Sequence, residues 1–194
     1  MRNLIVHEFI SLDGVIQAPG GKDEDTDGGF AHGGWTMPYW HDDIGASFGA
    51  FMQNVDAFLL GRKTYVTHAQ AFEPMPAGDP FGDMMNTPAK YVVSKTLEKP
   101  IWRNTTIIRD DVVAAVRALK AGPGKDIALD GSSQLLHTLL ENDLVDELHL
   151  SLYPVSLGAG KRAFPGKGPD AKFTLVSAKP YPTGVVGLHY KRTR

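Results

Sequence analysis

A chain of 194 residues is long enough to bury one sizeable α/β core and too short for two such domains. With 42% hydrophobic and 22% charged residues and a formal net charge of −2, it offers no field for nucleic acid or an anionic membrane. The 0 cysteines exclude a disulfide framework, a thiolate metal site and a cysteine nucleophile. The opening apolar run Leu4-Ile5-Val6 is too short for a signal peptide or a membrane span, so a cytoplasmic chain with no membrane partner is expected.

Leu4 to Ile10 reads as a first buried strand, broken by Asp13-Gly14. Ala18 to Gly34 is rich in glycine and acidic residues and reads as a long loop of the kind that is mobile or functional. Ile44, Phe48, Phe51, Met52 and Val55 recur at helical spacing behind Asp42 and Asp43, which favour the positive end of a helix. Ala57 to Leu60 reads as a strand ending at Gly61, with a helix from Arg62 or Lys63. Phe72 to Pro88 is rich in proline and reads as irregular. Tyr91 to Val93 and Thr105 to Ile108 read as strands. Asp110 is placed to cap a helix whose apolar face is Val112, Val113, Val116 and Leu119.

Ile127 to Leu129 is a further strand, followed by a helix capped by Ser132 or Ser133 and carrying Leu135, Leu136, Leu139 and Leu140. Asp146 to Tyr153 alternates, with Leu148, Leu150 and Leu152 on one side and Glu147, His149 and Ser151 on the other. Lys172 to Ala178 and Val185 to Lys191 close the chain as a hairpin. Short apolar strands alternating with helices predict a mostly parallel central sheet covered on both faces, with the last strand antiparallel.

In such a sheet ligands bind beyond the carboxyl ends of the strands. Three strand exits have an anion-friendly character: Gly61-Arg62-Lys63-Thr64, Ser94-Lys95-Thr96 and Gly131-Ser132-Ser133-Gln134. Glycine lets a ligand approach the backbone, a helix start offers free N–H groups, and Arg and Lys add charge. Asp23-x-Asp25-x-Asp27-Gly28 imitates a calcium loop but has Gly34 where a bidentate Glu is needed. The seven histidines show no ligand spacing in sequence, so no metal site is expected.

The order of these segments resembles the dihydrofolate reductase superfamily, in particular the branch related to the reductase domain of bifunctional riboflavin-biosynthesis enzymes. The resemblance runs nearly end to end. It is carried by Ser11-Leu12-Asp13-Gly14-Val15-Ile16, Asp56 to Tyr65, Lys90 to Lys95, Asp130 to Leu135, and Leu144 to Leu148 leading to Pro154 to Arg162. It implies a single domain over 1–194, folded as a three-layer α/β sandwich, that binds NADPH and reduces a small heterocyclic molecule. By the same resemblance Gly61, Arg62, Lys63 and Thr64 hold cofactor phosphates, and Ser94 and Lys95 meet the 2′-phosphate. Gly131, Ser132, Ser133 and Gln134 pack on the pyrophosphate side, and the backbone near Phe9 and Ile16 borders the nicotinamide. The 18–34 loop becomes a lid, and the strand from Asp146 pairs subunits in a homodimer.

Trp35 and Trp40 are candidates to stack on a planar substrate. Asp13, His7 and Asp42 are the candidate proton relays. Two family features are missing. The stretch around Gly45 lacks the carboxylate with which folate reductases hold a pteridine. Tyr65 to Pro74 lacks the Arg-ended stretch that contacts a ribosyl phosphate in the riboflavin branch. The alternative reading is a nucleotide- or flavin-binding module of the same fold without catalysis.

Overall fold

The computed structural model describes residues 1–194 except Pro165, Lys167 and Pro169. In chain order the elements are β1 (Leu4–Ser11), α1 (Asp42–Met52), β2 (Val55–Gly61), α2 (Arg62–Phe72), α3 (Pro80–Asn86), β3 (Ala89–Val93) and β4 (Thr105–Ile108). Then follow α4 (Val112–Ala121), β5 (Asp126–Leu129), α5 (Ser133–Glu141), β6 (Glu147–Tyr153), β7 (Phe173–Pro180) and β8 (Val186–Arg192). The strands form one eight-stranded sheet in the order β4-β3-β2-β5-β1-β6-β8-β7. All pairs from β4 to β6 are parallel, and β8 runs antiparallel to both β6 and β7.

The apolar strands are buried on both faces. On one face Leu4, Val6, Leu59, Ile127, Leu129, Leu148 and Leu150 pack against α4 and α5 through Val116, Leu135, Leu136, Leu139 and Leu140. On the other, Phe58, Leu60, Val92 and Ala128 pack against Met52, Tyr65, Ala69 and Met85 of α1, α2 and α3. A third cluster, with Val15, Trp35, Tyr153 and Val185, lies beneath the 18–34 loop. The alternation of Leu148 and Leu150 against Glu147 and His149 therefore separates the core face of β6 from the polar one.

Two local expectations are corrected. The stretch from Phe72 to Pro88 is not irregular throughout, because it contains α3. There the Asp79 carboxylate accepts from the Gly82 amide at 2.7 Å, and Pro80 occupies the first helical position, where its missing N–H costs nothing. Asp111, not Asp110, caps α4, its carboxylate accepting from the Ala114 amide at 3.0 Å.

The 18–34 loop is tied down rather than loose. Gln17 donates through Nε2 to the carbonyls of Asp25 and Asp27, at 3.0 and 3.1 Å. Lys161 pairs with Asp25 at 2.5 Å and with Asp27 at 2.8 Å, and Lys63 pairs with Asp27 as well. Asp25 and Asp27, two of the three acids that imitate a calcium loop, are thus occupied by lysines.

One feature of the register opens the site. β1 pairs with β5 only over Leu4–Val6, but with β6 as far as Ser11. β5 ends at Leu129 and the chain turns away at Asp130-Gly131. The edge of β1 from His7 onward is therefore left without a β5 partner, and a crevice opens there, at the carboxyl ends of the parallel strands.

Candidate active site

The crevice continues into a cleft of about 1420 Å³. It is lined by Ile16, Gly61, Arg62, Lys63, Thr64, Ser94, Lys95, Gly131, Ser132, Ser133 and Gln134, so the segments expected to hold a cofactor face one cavity.

Two strand exits meet at its centre. The Gly61 amide donates to the Gly131 carbonyl at 3.1 Å. A Cβ on Gly61 would lie 2.4 Å from Ser132 Oγ, and one on Gly131 would lie 2.8 Å from Thr64 Oγ1. Gly131 also has φ +89°, a conformation that side chains disfavour. The peptide between Gly131 and Ser132 is cis. Only glycine at both positions lets the turns approach this closely, and the approach sets the N-termini of α2 and α5 side by side.

Those two N-termini share a second property. No side chain caps α2 at Gly61 or α5 at Ser132. In contrast α1, α3 and α4 are capped by His41, Asp79 and Asp111. The first amides of α2 and α5 thus lack side-chain acceptors at the helix ends that border the cleft, where the helix dipole favours negative charge. Arg62, Lys63, Lys95 and Lys161 add cations to the lining. Ser94 is buried, and its Oγ accepts from the amides of Thr96 and Leu97 at 3.2 and 2.9 Å, shaping the β3 exit.

The other wall is aromatic. Phe48 of α1, Phe81 of α3 and Phe72 of α2 form a continuous run, with ring centroids 6.3 Å apart for Phe48–Phe81 and 5.6 Å for Phe72–Phe81. Trp40 joins them, 48% exposed. A Cβ on Gly45 would lie 3.3 Å from the Trp40 ring, so the indole covers α1 at Gly45.

Trp35 does not line the cleft. It is 7% exposed, donates through Nε1 to the Gln17 carbonyl at 2.9 Å, and packs edge-on against Tyr153. It is core beneath the loop and is withdrawn as a substrate residue.

The candidate proton relays separate likewise. Asp13 does not line the cleft. Its carboxylate accepts from the Ser11 hydroxyl at 2.7 Å and from the Leu157 and Gly158 amides at 3.1 and 2.8 Å. Desolvation acts to raise its pKa, but these hydrogen bonds outweigh it and bring the value down to about 2. Asp13 is a spent, ionised brace for the β1 exit. Asp42 is exposed in the first turn of α1 and likewise does not line the cleft. Of the three, only His7 does.

The structure adds partners to His7 that the sequence did not single out. Asp130, at the end of β5, accepts from His68 Nε2 of α2 at 2.8 Å and faces His7 Nδ1 at 3.5 Å. Burial would raise the pKa of Asp130, but the contacts from His68 and then His7 hold it well below the usual carboxylate range. Beside it Glu8, 6% exposed, lines the same cleft, and its Oε1 has no hydrogen-bond partner. Burial first, and the Asp130 charge second, push the Glu8 pKa well above that range. Two carboxyl groups in one crevice are thus driven apart, one to the anion and one to the neutral acid.

A family model described as the RibD C-terminal domain matches residues 2–187, and the chain belongs to that family. Two proteins of Bacillus subtilis (strain 168) are similar over nearly all of it. The uncharacterized protein YyaP is 31% identical over 192 residues, covering 97% of this chain and 94% of YyaP. The uncharacterized protein YwjB is 27% identical over 195 residues, covering 98% of each. Among solved structures, a putative riboflavin biosynthesis protein from Shewanella sp. PV-4 superposes with a TM-score of 0.76 at 20% identity, over 99% of each chain. A dihydrofolate reductase from Enterococcus faecalis, complexed with NADP(H), superposes at 0.64 and 15% identity over 99% of this chain and 97% of that one. The dihydrofolate-reductase-like fold expected from the sequence is shown by these superpositions. Among the described residues no helix is long and apolar enough to cross a membrane.

Proposed function

We propose that this protein is an NADPH-dependent reductase of a small, planar, uncharged heterocycle. The observation that carries the reading is the pair of uncapped helix N-termini, α2 and α5, brought together by Gly61 and Gly131 in a cleft that also holds Arg62 and Lys95. A pyrophosphate fits such a cradle, because N–H groups and helix dipoles converge on it without a competing side-chain cap. Ser94 and Lys95 at the β3 exit are the residues for the 2′-phosphate. The crevice between β1 and β5, bordered by Phe9 and Ile16, is the place for the nicotinamide.

The aromatic wall defines the second ligand. Trp40, Phe48, Phe72 and Phe81 offer flat apolar surface, and α1 places Gly45 where a pteridine would need a carboxylate. The lining from α1, α3 and the last turn of α2 contains no Arg or Lys, so a ribosyl phosphate finds no counter-charge there. A neutral heterocycle such as an unphosphorylated flavin or an uncharged pterin suits this surface.

Bound NADPH supplies the hydride. The chain's own residues hold the two rings in line and exclude water, with the loop pinned by Lys63 and Lys161 as the cover. Glu8, kept neutral by its burial, holds the proton the reduced ring needs. Asp130, fixed by His68 and His7, opposes ionisation of Glu8, so that Glu8, having given its proton to the reduced ring, would take one back from solvent.

The test is to follow NADPH oxidation by the purified chain against a panel of unphosphorylated flavins, pterins and other neutral heterocycles, with a carbocyclic quinone as the control. Turnover with a neutral member, and little with folate or phosphorylated pyrimidines, is the expected result. Tight NADPH binding without turnover across the panel would instead mean a nucleotide-binding module, and no binding would overturn the reading.

A further inference from the structure

A second constellation lies on the polar face of β6 and β8, outside the cleft lining. Glu147 and His149 are two residues apart on β6 and so share a face, opposite Leu148 and Leu150 of the core. His189 of β8 is the antiparallel register partner of His149. The two histidines are 40 positions apart in the chain, and only the strand pairing brings them together.

Their donor atoms converge on one carboxylate oxygen. Glu147 Oε2 lies 2.7 Å from His189 Nε2 and 3.5 Å from His149 Nε2, and one ligand atom from each residue falls within 4.8 Å of the others. Donors around a tetrahedral Zn²⁺ at about 2.0–2.1 Å are roughly 3.3 Å apart, so the observed spacings straddle the required one. Small side-chain rotations complete the geometry. Lys191 stands 3.4 Å from the other oxygen, Oε1, and leaves Oε2 to the histidines.

Hydrogen bonding alone does not account for the arrangement. His189 satisfies Glu147, but His149 Nε2 is buried with no hydrogen-bond partner. A buried ring nitrogen left empty is costly unless something else uses its lone pair. The Phe51 ring, with its centroid 5.0 Å away, packs against the His149 ring. The two side chains are 28% and 24% exposed, so a rotation of the His149 ring suffices to turn its buried Nε2 toward an entering cation.

We infer that Glu147, His149 and His189 form a site for a divalent transition metal, with two imidazoles and one carboxylate as ligands and the remaining positions taken by water. Two nitrogen donors select Zn²⁺, Co²⁺, Ni²⁺ or Cu²⁺ over Mg²⁺ and Ca²⁺, which want oxygen. The site bridges β6 and β8, and His149 is the register partner of His7, so the cation sits one strand away from the cleft. It is independent of the reading of the cleft as a reductase site.

The experiment is a Co²⁺ titration of the untagged chain, stripped with chelator, followed by visible absorption and by thermal melting. One Co²⁺ per chain at micromolar concentration, with a visible band and a raised melting temperature, is expected. His189→Asn and Glu147→Gln, each checked for folding by far-ultraviolet circular dichroism, should each weaken binding on the order of tenfold or more. Absence of a band with millimolar Co²⁺, or equal affinity in both folded variants, would overturn the assignment. The wild-type titration decides the matter by itself if a variant fails to fold.

Discussion

The amide of Gly61 donates to the carbonyl of Gly131 at 3.1 Å, although the two are 70 positions apart in the chain. That bond joins the exits of β2 and β5 and brings two uncapped helix ends to one point. The proposed cofactor cradle depends on it.

Gly61→Ala therefore drives a methyl group to 2.4 Å from Ser132 Oγ and 2.9 Å from its Cβ. Overpacking of this kind costs about 1–3 kcal/mol, and the turns must separate to relieve it. The expected outcome is a lowered melting temperature and at least tenfold weaker NADPH binding. Adding Ser132→Gly removes both clashing atoms and should restore much of each. Denaturation and fluorescence titration of the single and double variants check this.

Arg62 and Lys95 line the cleft without an ion-pair partner among the described residues. Arg62→Ala and Lys95→Ala should each weaken NADPH by about 1.5–3 kcal/mol, the worth of a hydrogen bond to a charged group. Lys95→Ala should leave NADH nearly unaffected, since the proposed role of that residue is to meet the 2′-phosphate. Lys63→Ala should cost less, because Lys63 is already engaged by Asp27. Parallel titrations with the two dinucleotides separate these effects.

Glu8→Gln keeps the shape of the side chain and removes its proton. Turnover should fall about a hundredfold or more, with NADPH affinity nearly unchanged. The pH dependence follows from the raised pKa. The folded state holds a proton that the unfolded chain loses near its ordinary value of 4.5. The stability from neutral Glu8 is thus fully present below that value and is lost as pH rises through the folded pKa. Activity should decline along the same limb. Glu8→Gln should flatten the stability curve, and Asp130→Asn should move the activity limb to lower pH by removing the charge that opposes Glu8 ionisation. Stability and rate profiles from acid to alkaline pH measure all three.

The two candidate tryptophans should part company. Trp35→Ala empties a core position and should cost about 3–5 kcal/mol of stability. Trp40→Ala, at a half-exposed surface of the cleft, should leave stability nearly intact and raise KM for the second substrate. Chemical denaturation and steady-state kinetics of both variants are the check.

Much of the architecture was legible because strand and helix periods differ. Leu148 and Leu150 against Glu147 and His149 announced a one-sided strand, and Leu135, Leu136, Leu139 and Leu140 announced a helix. The convergence of the three strand exits on one cleft was legible because they follow one another in a fixed order along the parallel strands. α3 was hidden by reading proline only as a breaker, although Asp79-Pro80 is also a helix start. The acid–base corner was hidden for a topological reason. His7 and Asp130 meet across 123 residues and His68 and Asp130 across 62, and only the parting of β1 from β5 brings them together. One signal was present, since Glu8 is an acid in the middle of a buried strand, which has to be either paired or functional. Trp35 and Trp40 differ by five positions and by nothing in local pattern, so only the folded loop distinguishes them.

The most direct test of the account is an equilibrium titration of the wild-type chain with NADPH and with NADH, read by nucleotide fluorescence or by calorimetry. One NADPH bound per chain, at least tenfold more tightly than NADH, with that preference abolished in Lys95→Ala, is the predicted result. No saturable binding of either dinucleotide, or equal affinity for both, would contradict it.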